Sequence, residues 1–287
     1  LAEVGDPALA AGLDEIAVDR CDDDDLHWLV IEPDNTVIRD WAERQPRIAL
    51  AVAERRTSDD RLGAPGPRRP DSSGRTDAEL LEQARNSGDS AVAAILELGR
   101  RRNPALLDLA EELLPERACR SRGAVCRAIR DLGALALPRA RVWTARPSGC
   151  FDVGIDVLAR YGTAQDVPAL LDDLETALAD RNWGAAASPA EGLGRLRSGA
   201  AVPLLDTAWA ESEYSYLRPR VLTALVRTAP HTAESYAAEG LWDCEEDVRR
   251  ISVGLAPPTE RNLTRIRRLR GCAAEDPEVR AAAAARL

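Results

Sequence analysis

The chain contains two histidines, His27 and His231, and neither stands beside a glutamate as a paired metal ligand would. A metal site needs several suitable ligands close together, and a lone histidine supplies only one. His231 lies in TAPHTAES, a stretch typical of a turn, whereas His27 precedes Trp28 and follows an acidic run. His27 is therefore the better functional candidate of the two, and we predict no metal site.

The acidic run, Asp22 to Asp25, is the sharpest local charge feature of the sequence. Clustered carboxylates are oxygen ligands that suit a divalent cation, and they also suit a basic partner. The run lacks the spacing and the glycine of an EF-hand loop. Aspartate also caps helix N-termini, where the positive end of the helix favours it. We favour a solvated turn that caps the following helix, with the cation or basic-partner site as the alternative.

Motifs of nucleotide-binding and hydrolytic enzymes are absent from the sequence. It contains no GxxxxGK[ST], GxGxxG or GxSxG stretch, and it has no lysine at all. The six cysteines form no CxxC pair; they are Cys21, Cys119, Cys126, Cys150, Cys244 and Cys272. We interpret them as reduced thiols of a cytoplasmic protein. Cys119 and Cys126, seven residues apart, fit one buried helix face. The sequence therefore predicts no cofactor.

The formal net charge of −10 argues against nucleic acid as a partner. Proteins that bind nucleic acid normally present a basic face. Two arginine-rich stretches, residues 117–130 and 261–271, are interpreted as solvated helix faces that pair with neighbouring acidic residues, and a nucleic-acid surface is the alternative. No apolar run reaches the ~18 residues that a membrane helix needs. We expect neither a nucleic-acid nor a membrane partner.

The elements that position these residues are predicted by a repeat. The phrase apolar-x-x-apolar-Gly begins at residues 1, 95, 129 and 158, with degenerate copies at 193 and 225. From residue 95 onward the copies follow every 29 to 35 residues, which indicates one supersecondary unit. We predict that the apolar pair ends a helix, and that the glycine adopts the left-handed conformation of a helix C-terminus. A proline then opens the next helix, as in residues 103–114, 167–178 and 202–209.

A second phrase, an apolar residue followed by arginine, recurs every 31 residues at Arg218, Arg249 and Arg280. Two phrases that share one period predict two helices in each repeat. The sequence therefore predicts an all-α fold, specifically an α-solenoid in which each helix pair packs against its neighbours. We interpret the three arginines as structural positions, each bridging to an acidic residue of the adjacent repeat.

The stretch DPEVRAAAAARL, residues 276–287, resembles the HEAT repeat in the short bacterial form named for phycobilisome lyases. The phrase of that form is Asp-Pro-x-Val-Arg-x-x-Ala-x-x-x-Leu, followed by apolar-Gly and a proline-led helix. The resemblance covers residues 76–287 well and 1–56 more loosely. It implies a right-handed superhelix of seven to eight helix pairs with a concave groove.

Composition divides the chain into three segments. Residues 1–56 are predicted to form a first group of HEAT-like helices, with Asn35 or Asp34 as a helix cap and a break at Pro46. Residues 57–75, rich in Pro, Gly, Ser and Asp, are predicted to be a flexible linker or loop. Residues 76–287 form the main array. Both ends fall inside the repeat pattern, so we expect a segment of a longer array.

The candidate partner-binding residues are aromatic side chains that depart from the repeat, because a partner is not itself periodic. They are Trp183, Tyr214 and Tyr216, and aromatic residues often dominate interfaces. Packing in an alanine-rich core is the alternative for all three. Trp209 and Trp242, 33 residues apart at similar repeat positions, are predicted to lie in the core.

Intact repeats without a catalytic motif favour a non-enzymatic scaffold or adaptor in the cytoplasm. We expect it to hold a protein or peptide in its concave groove. The alternative is an enzyme or enzyme accessory that uses the groove, similar to HEAT-like lyases or DNA glycosylases. That alternative requires several polar side chains to converge in the groove.

Overall fold

The computed structural model of the chain describes residues 14, 18, 35–63, 74–86, 88–115, 121–145 and 148–287. The chain divides into two compact units, Leu1–Asp71 and Ser72–Leu287. Within the described ranges every regular element is a helix and no strand occurs. The predicted all-α class is therefore confirmed for this part of the chain.

The first unit contains helices α1, Thr36–Arg44, and α2, Pro46–Gly63. The Asn35 side chain accepts a hydrogen bond from the Val37 backbone N–H at 2.9 Å, which confirms Asn35 as the helix cap. Pro46 separates the two helices, as expected. Helix α2 includes residues 57–63, at the start of the segment expected to be a linker, and residues 64–73 lie outside the described ranges.

The second unit contains fourteen described helices: α3 Asp77–Ala84, α4 Asp89–Arg100, α5 Leu106–Leu113, α6 Arg122–Leu132, α7 Leu137–Thr144, α8 Phe151–Tyr161, α9 Val167–Ala179, α10 Ala187–Arg195, α11 Val202–Glu211, α12 Arg218–Thr228, α13 Ala233–Gly240, α14 Glu246–Leu255, α15 Glu260–Gly271 and α16 Pro277–Arg286. Each odd-numbered helix packs against the even-numbered helix that follows it. Each even-numbered helix also packs against the next even-numbered one, so α4 to α16 form a continuous row.

The core between the helix pairs is built mainly from leucine, alanine and valine. Leu170 and Leu174 of α9 are fully buried, and so are Leu217, Val248 and Val279, the apolar members of the second phrase. Prolines stand in the first turns of α9, α11, α12 and α16, where a missing N–H costs no intrahelical hydrogen bond. Both phrases lie on even-numbered helices, because the first ends α4, α6, α8, α10 and α12 and the second opens α12, α14 and α16. The expectation that the two phrases mark the two different helices of a pair is therefore wrong. The proline-led segments 103–114, 167–178 and 202–209 form the odd-numbered helices.

The predicted role of the repeat glycines is wrong for two of the three described copies. Gly133 has a φ of 65°, but Gly162 has a φ of −61° and Gly99 lies inside α4. A Cβ at Gly99 would lie 2.9 Å from the Ala128 Cβ of α6, so a glycine there permits close packing of two even-numbered helices. Arginines take the left-handed position at several helix ends instead, and they are Arg102, Arg181 and Arg197.

No helix among the described residues has both the length and the apolar character needed to cross a membrane.

Candidate functional site

Several residues singled out from the sequence lie outside the described ranges. They are His27, Cys21, Cys119 and the acidic run Asp22 to Asp25. His231 is exposed in the turn between α12 and α13. Within the described ranges no group of three or more His, Cys, Asp or Glu side chains is arranged to hold a metal ion.

The periodic arginines connect successive helix pairs. The Arg218 Nε donates to Asp243 at 2.6 Å, and its guanidinium carbon lies 4.0 Å from the centroid of the Trp209 ring. Arg249 contacts Glu275 through two nitrogens, the shorter contact at 2.5 Å. Each acidic partner stands just before the next even-numbered helix. Arg280 has no acidic partner among the described residues, and its buried Nε finds no acceptor there.

The aromatic candidates separate into packed and exposed residues. Trp183 is partly buried and packs against the main core. Tyr214 and Tyr216 are 42% and 61% exposed, and their ring centroids lie 5.5 Å apart just before α12. Arg220 donates a hydrogen bond to the backbone carbonyl of Tyr216.

The prediction that both Trp209 and Trp242 lie in the core is correct only for the first. Trp209 is 3% exposed within α11, whereas Trp242 is 48% exposed. Helix α13 ends at Gly240, so Trp242 stands beyond the helical face that α14 covers. The guanidinium carbon of Arg265 lies 4.6 Å from the Trp242 ring centroid.

A cleft of about 470 Å³ crosses four consecutive even-numbered helices, α8, α10, α12 and α14. We call it the arginine groove, because five arginines line it: Arg160, Arg195, Arg220, Arg227 and Arg250. Among the described residues that line it, the only carboxylates are Glu191 and Asp247. The groove therefore concentrates positive charge in a chain whose formal net charge is −10.

Three of the groove arginines have partners within the fold. Arg220 lies 3.3 Å from Glu191, and Arg250 lies 2.6 Å from Asp247. Arg195 donates to the backbone carbonyls of Ala159 at 2.8 Å and Gly162 at 2.7 Å, at the end of α8. Burial lowers the pKa of the Arg195 guanidinium, but arginine stays charged at neutral pH.

The other two groove arginines, Arg160 and Arg227, are exposed, and their side chains form no hydrogen bond or ion pair within the described part of the chain. They lie near the ends of α8 and α12, and α10 packs between these helices. Their guanidinium donors are therefore available to a ligand that enters the groove.

Sequence reasoning missed the groove, although its signal was present in the repeat. Arg160, Arg195 and Arg227 all occupy the third position of the first phrase, in LARYG, LGRLR and LVRTA. The earlier copies have Glu97 and Asp131 there. A repeat position whose charge changes sign from one repeat to the next indicates a surface whose role differs between repeats. We searched for binding residues only among those that break the period, so this periodic position was overlooked.

A second cleft, of about 420 Å³, lies between α6, α8, α9 and α10, and we call it the acidic cleft because Asp152, Asp156 and Asp173 line it. Asp156 accepts hydrogen bonds from Ser188 and, at 3.3 Å, from Arg130. Burial, with smaller contributions from Asp152 and a neighbouring aspartate, raises the pKa of Asp173 to about 6. A carboxyl that titrates near neutrality in a cleft can exchange protons with a ligand.

Comparison with known proteins provides no relative from which the role of either cleft could be inferred. No protein-family model, no curated protein and no solved structure matches the chain. The function must be inferred from the residues of the two clefts themselves.

Proposed function

We propose that the chain is a non-enzymatic interaction scaffold of the cytoplasm, a right-handed solenoid of HEAT-like helix pairs that holds a protein or peptide in the arginine groove. The single observation that carries the proposal is the groove itself, which crosses four successive even-numbered helices. A row of stacked helix pairs offers an extended surface of this kind to a partner chain.

The lining of the groove supports binding rather than catalysis. The described residues of the lining include no His, Cys or Ser, and their one hydroxyl, that of Thr223, donates to the Pro219 carbonyl at 2.7 Å. A nucleophile with an adjacent base is the usual minimum for covalent catalysis. The groove instead presents guanidinium groups, which recognise a ligand by charge and by hydrogen bonds.

The experiment fills the groove with a bulky side chain. A random peptide library displayed on phage is selected against the full chain, and the affinity of each enriched peptide is then measured. We expect Thr223→Trp to weaken binding by at least about tenfold, because the indole occupies the space of the peptide.

Thr207→Trp is the matched control. Thr207 in α11 also donates its hydroxyl to the carbonyl of a proline four residues earlier, Pro203, but it lies outside the groove lining. Its substitution should leave peptide affinity unchanged. The scaffold proposal fails if no peptide is enriched, or if the enriched peptides bind both variants equally.

An enzyme is the second candidate, and the raised pKa of Asp173 in the acidic cleft favours it. In that case Asp173 would transfer a proton to or from a substrate. Turnover by the purified chain that is lost in Asp173→Asn but retained in Thr223→Trp would replace the scaffold with an enzyme of the acidic cleft.

A further inference from the structure

We infer that the occupant of the arginine groove is an acidic peptide segment, one whose Asp and Glu side chains pair with Arg160 and Arg227. This inference rests on the proposed function, because it names the chemistry of the partner that the scaffold holds.

The charge of the lining is the first argument. Five arginines face two carboxylates in the groove, Glu191 and Asp247. Each carboxylate already contacts an arginine, Arg220 and Arg250 respectively. The remaining positive charge has no counterion among the described lining residues. Carboxylates supplied by a ligand would neutralise it.

The donors of the unpaired arginines are the second argument. The acceptors of Arg195 are neutral backbone carbonyls, while Arg160 and Arg227 have no acceptor within the described residues. A guanidinium can donate two parallel hydrogen bonds to one carboxylate, and such charge-assisted bonds are about twice as strong as neutral ones. The side chains of Asp and Glu are therefore the matching ligands.

The placement of these two arginines sets the length of the segment. They stand at equivalent repeat positions on α8 and α12, with one even-numbered helix between them. Adjacent packed helices lie 8–10 Å apart, so the two positions are separated by roughly 20 Å. An extended peptide covers that distance in about six residues. Two acidic residues at about that spacing would reach both guanidinium groups.

Nucleic acid fits the groove less well than an acidic peptide. No aromatic side chain on which a base could stack occurs among the lining residues that the structure describes. Glu191 and Asp247 would repel a phosphate backbone, and the formal net charge of −10 opposes the approach of a polyanion. A short peptide with a few carboxylates carries much less negative charge, so it experiences less of this repulsion.

The test uses the composition of the peptides enriched by the phage selection against the full chain. We expect them to be rich in Asp and Glu, and to bind less tightly as NaCl rises from ~50 to ~500 mM, because salt screens the ion pairs. The double variant Arg160→Gln/Arg227→Gln should weaken their binding by about tenfold or more. Neither side chain has a partner in the described fold, so the variant should unfold at the same Tm as the parent.

The matched control is Arg268→Gln/Arg270→Gln, which removes the same charge from exposed positions of α15 outside the groove lining. It should leave peptide binding unchanged. If both double variants weakened binding equally, the effect would belong to net charge and the inference would be overturned.

Two further outcomes would also overturn the inference. Enriched peptides that are neutral or basic, yet are still blocked by Thr223→Trp, would refute acidic recognition while the scaffold proposal stands. A labelled single-stranded DNA that binds more tightly than the peptides, and loses affinity in Arg160→Gln/Arg227→Gln, would assign the groove to nucleic acid. The absence of any groove-dependent peptide would remove the scaffold proposal itself.

Discussion

At the scale of the residue, arginine carries most of the charge chemistry, because all 38 basic residues of the chain are arginine. A guanidinium is planar, permanently charged and weakly hydrated, so it can lie between an aromatic ring and a carboxylate. Arg218 lies in this way between Trp209 and Asp243. Arg218 and Arg249, in the first turns of α12 and α14, connect successive helix pairs. Arg160 and Arg227, near the ends of α8 and α12, line the groove instead.

Replacing Arg218 by alanine should destabilise the chain by about 3 kcal/mol, because it leaves the buried Asp243 carboxylate without its cation. Urea unfolding measures the loss. Asp243→Asn in the same chain should restore part of it by removing the orphaned charge. Arg280→Ala is the matched control, since Arg280 has no acidic partner in the described ranges, and its cost should stay below about 1 kcal/mol. Equal costs at the two positions would contradict the role of the ion pair.

Asp173 should make stability depend on pH. Burial raises its pKa from 3.8 to about 6, so the folded chain holds this proton more tightly than the unfolded chain does. Its contribution to the free energy of unfolding therefore falls as the pH rises from about 4 to about 6, and it stays low above that range. Asp173→Asn should raise stability at pH 7 by about 1 kcal/mol, a value reduced for solvent screening of a partly buried group.

Urea unfolding at about pH 4 and pH 7 measures this difference, and the gain should disappear at the lower value because Asp173 is then protonated in the folded chain. Glu175→Gln, at an exposed position of the same helix, serves as the control. A gain of equal size at both pH values would show that packing, rather than ionisation, causes the change.

At the scale of the element, several glycines in the row of even-numbered helices permit close packing. Gly99, Gly194 and Gly254 are each the penultimate residue of their helix, but only the first two are crowded by the next helix in the row. A Cβ at Gly194 would lie 2.6 Å from the Ala224 Cα of α12, while a Cβ at Gly254 would meet nothing within 4 Å.

Gly194→Ala should therefore destabilise the chain by about 2 kcal/mol, because α10 and α12 must move apart. Gly254→Ala should instead stabilise it by about 0.5–1 kcal/mol, since alanine is the better helix former where no contact interferes. Thermal or urea unfolding of both variants measures whether each substitution lowers or raises the stability of the chain. If both substitutions stabilised the chain, the close approach at Gly194 would not limit the packing.

At a helix end with a positive φ, introducing a glycine rather than replacing one should stabilise the chain. Arg181 has a φ of 52° after α9, and the N–H of Asn182 bonds to the Ala177 carbonyl at 2.8 Å, which closes the helix end. A residue with a Cβ is strained at this φ, so Arg181→Gly should stabilise the chain by about 0.5–1 kcal/mol. Arg181→Ala removes the same side chain but retains the strain, so it should bring no such gain in urea unfolding.

At the scale of the whole molecule, the sequence predicts the order of helices better than the surface they present. Local signals determine the helices: proline in the first turn, leucines at helical spacing and the period shared by Arg218 and Arg249. The groove depends on which side of each even-numbered helix remains uncovered once the pairs stack, and a single repeat does not contain that information. Trp242 shows the same limit, since its exposure follows from where α13 ends.

The stacking of helix pairs also predicts how a local change spreads through Ser72–Leu287. If each pair is stabilised mainly by its neighbours, as in a solenoid, strain at one junction should decay along the row. Gly194→Ala in the full chain should then accelerate amide hydrogen exchange in α10 and α12 and, less strongly, in α8 and α14. Exchange in α3 and α4 should remain at the parent rate, because these helices share no junction with α10. Gly254→Ala is the control, because it makes the same substitution where a Cβ meets nothing within 4 Å, and it should not accelerate exchange. Faster exchange throughout α3 to α16 would instead indicate one cooperative globular core and would contradict the proposed solenoid.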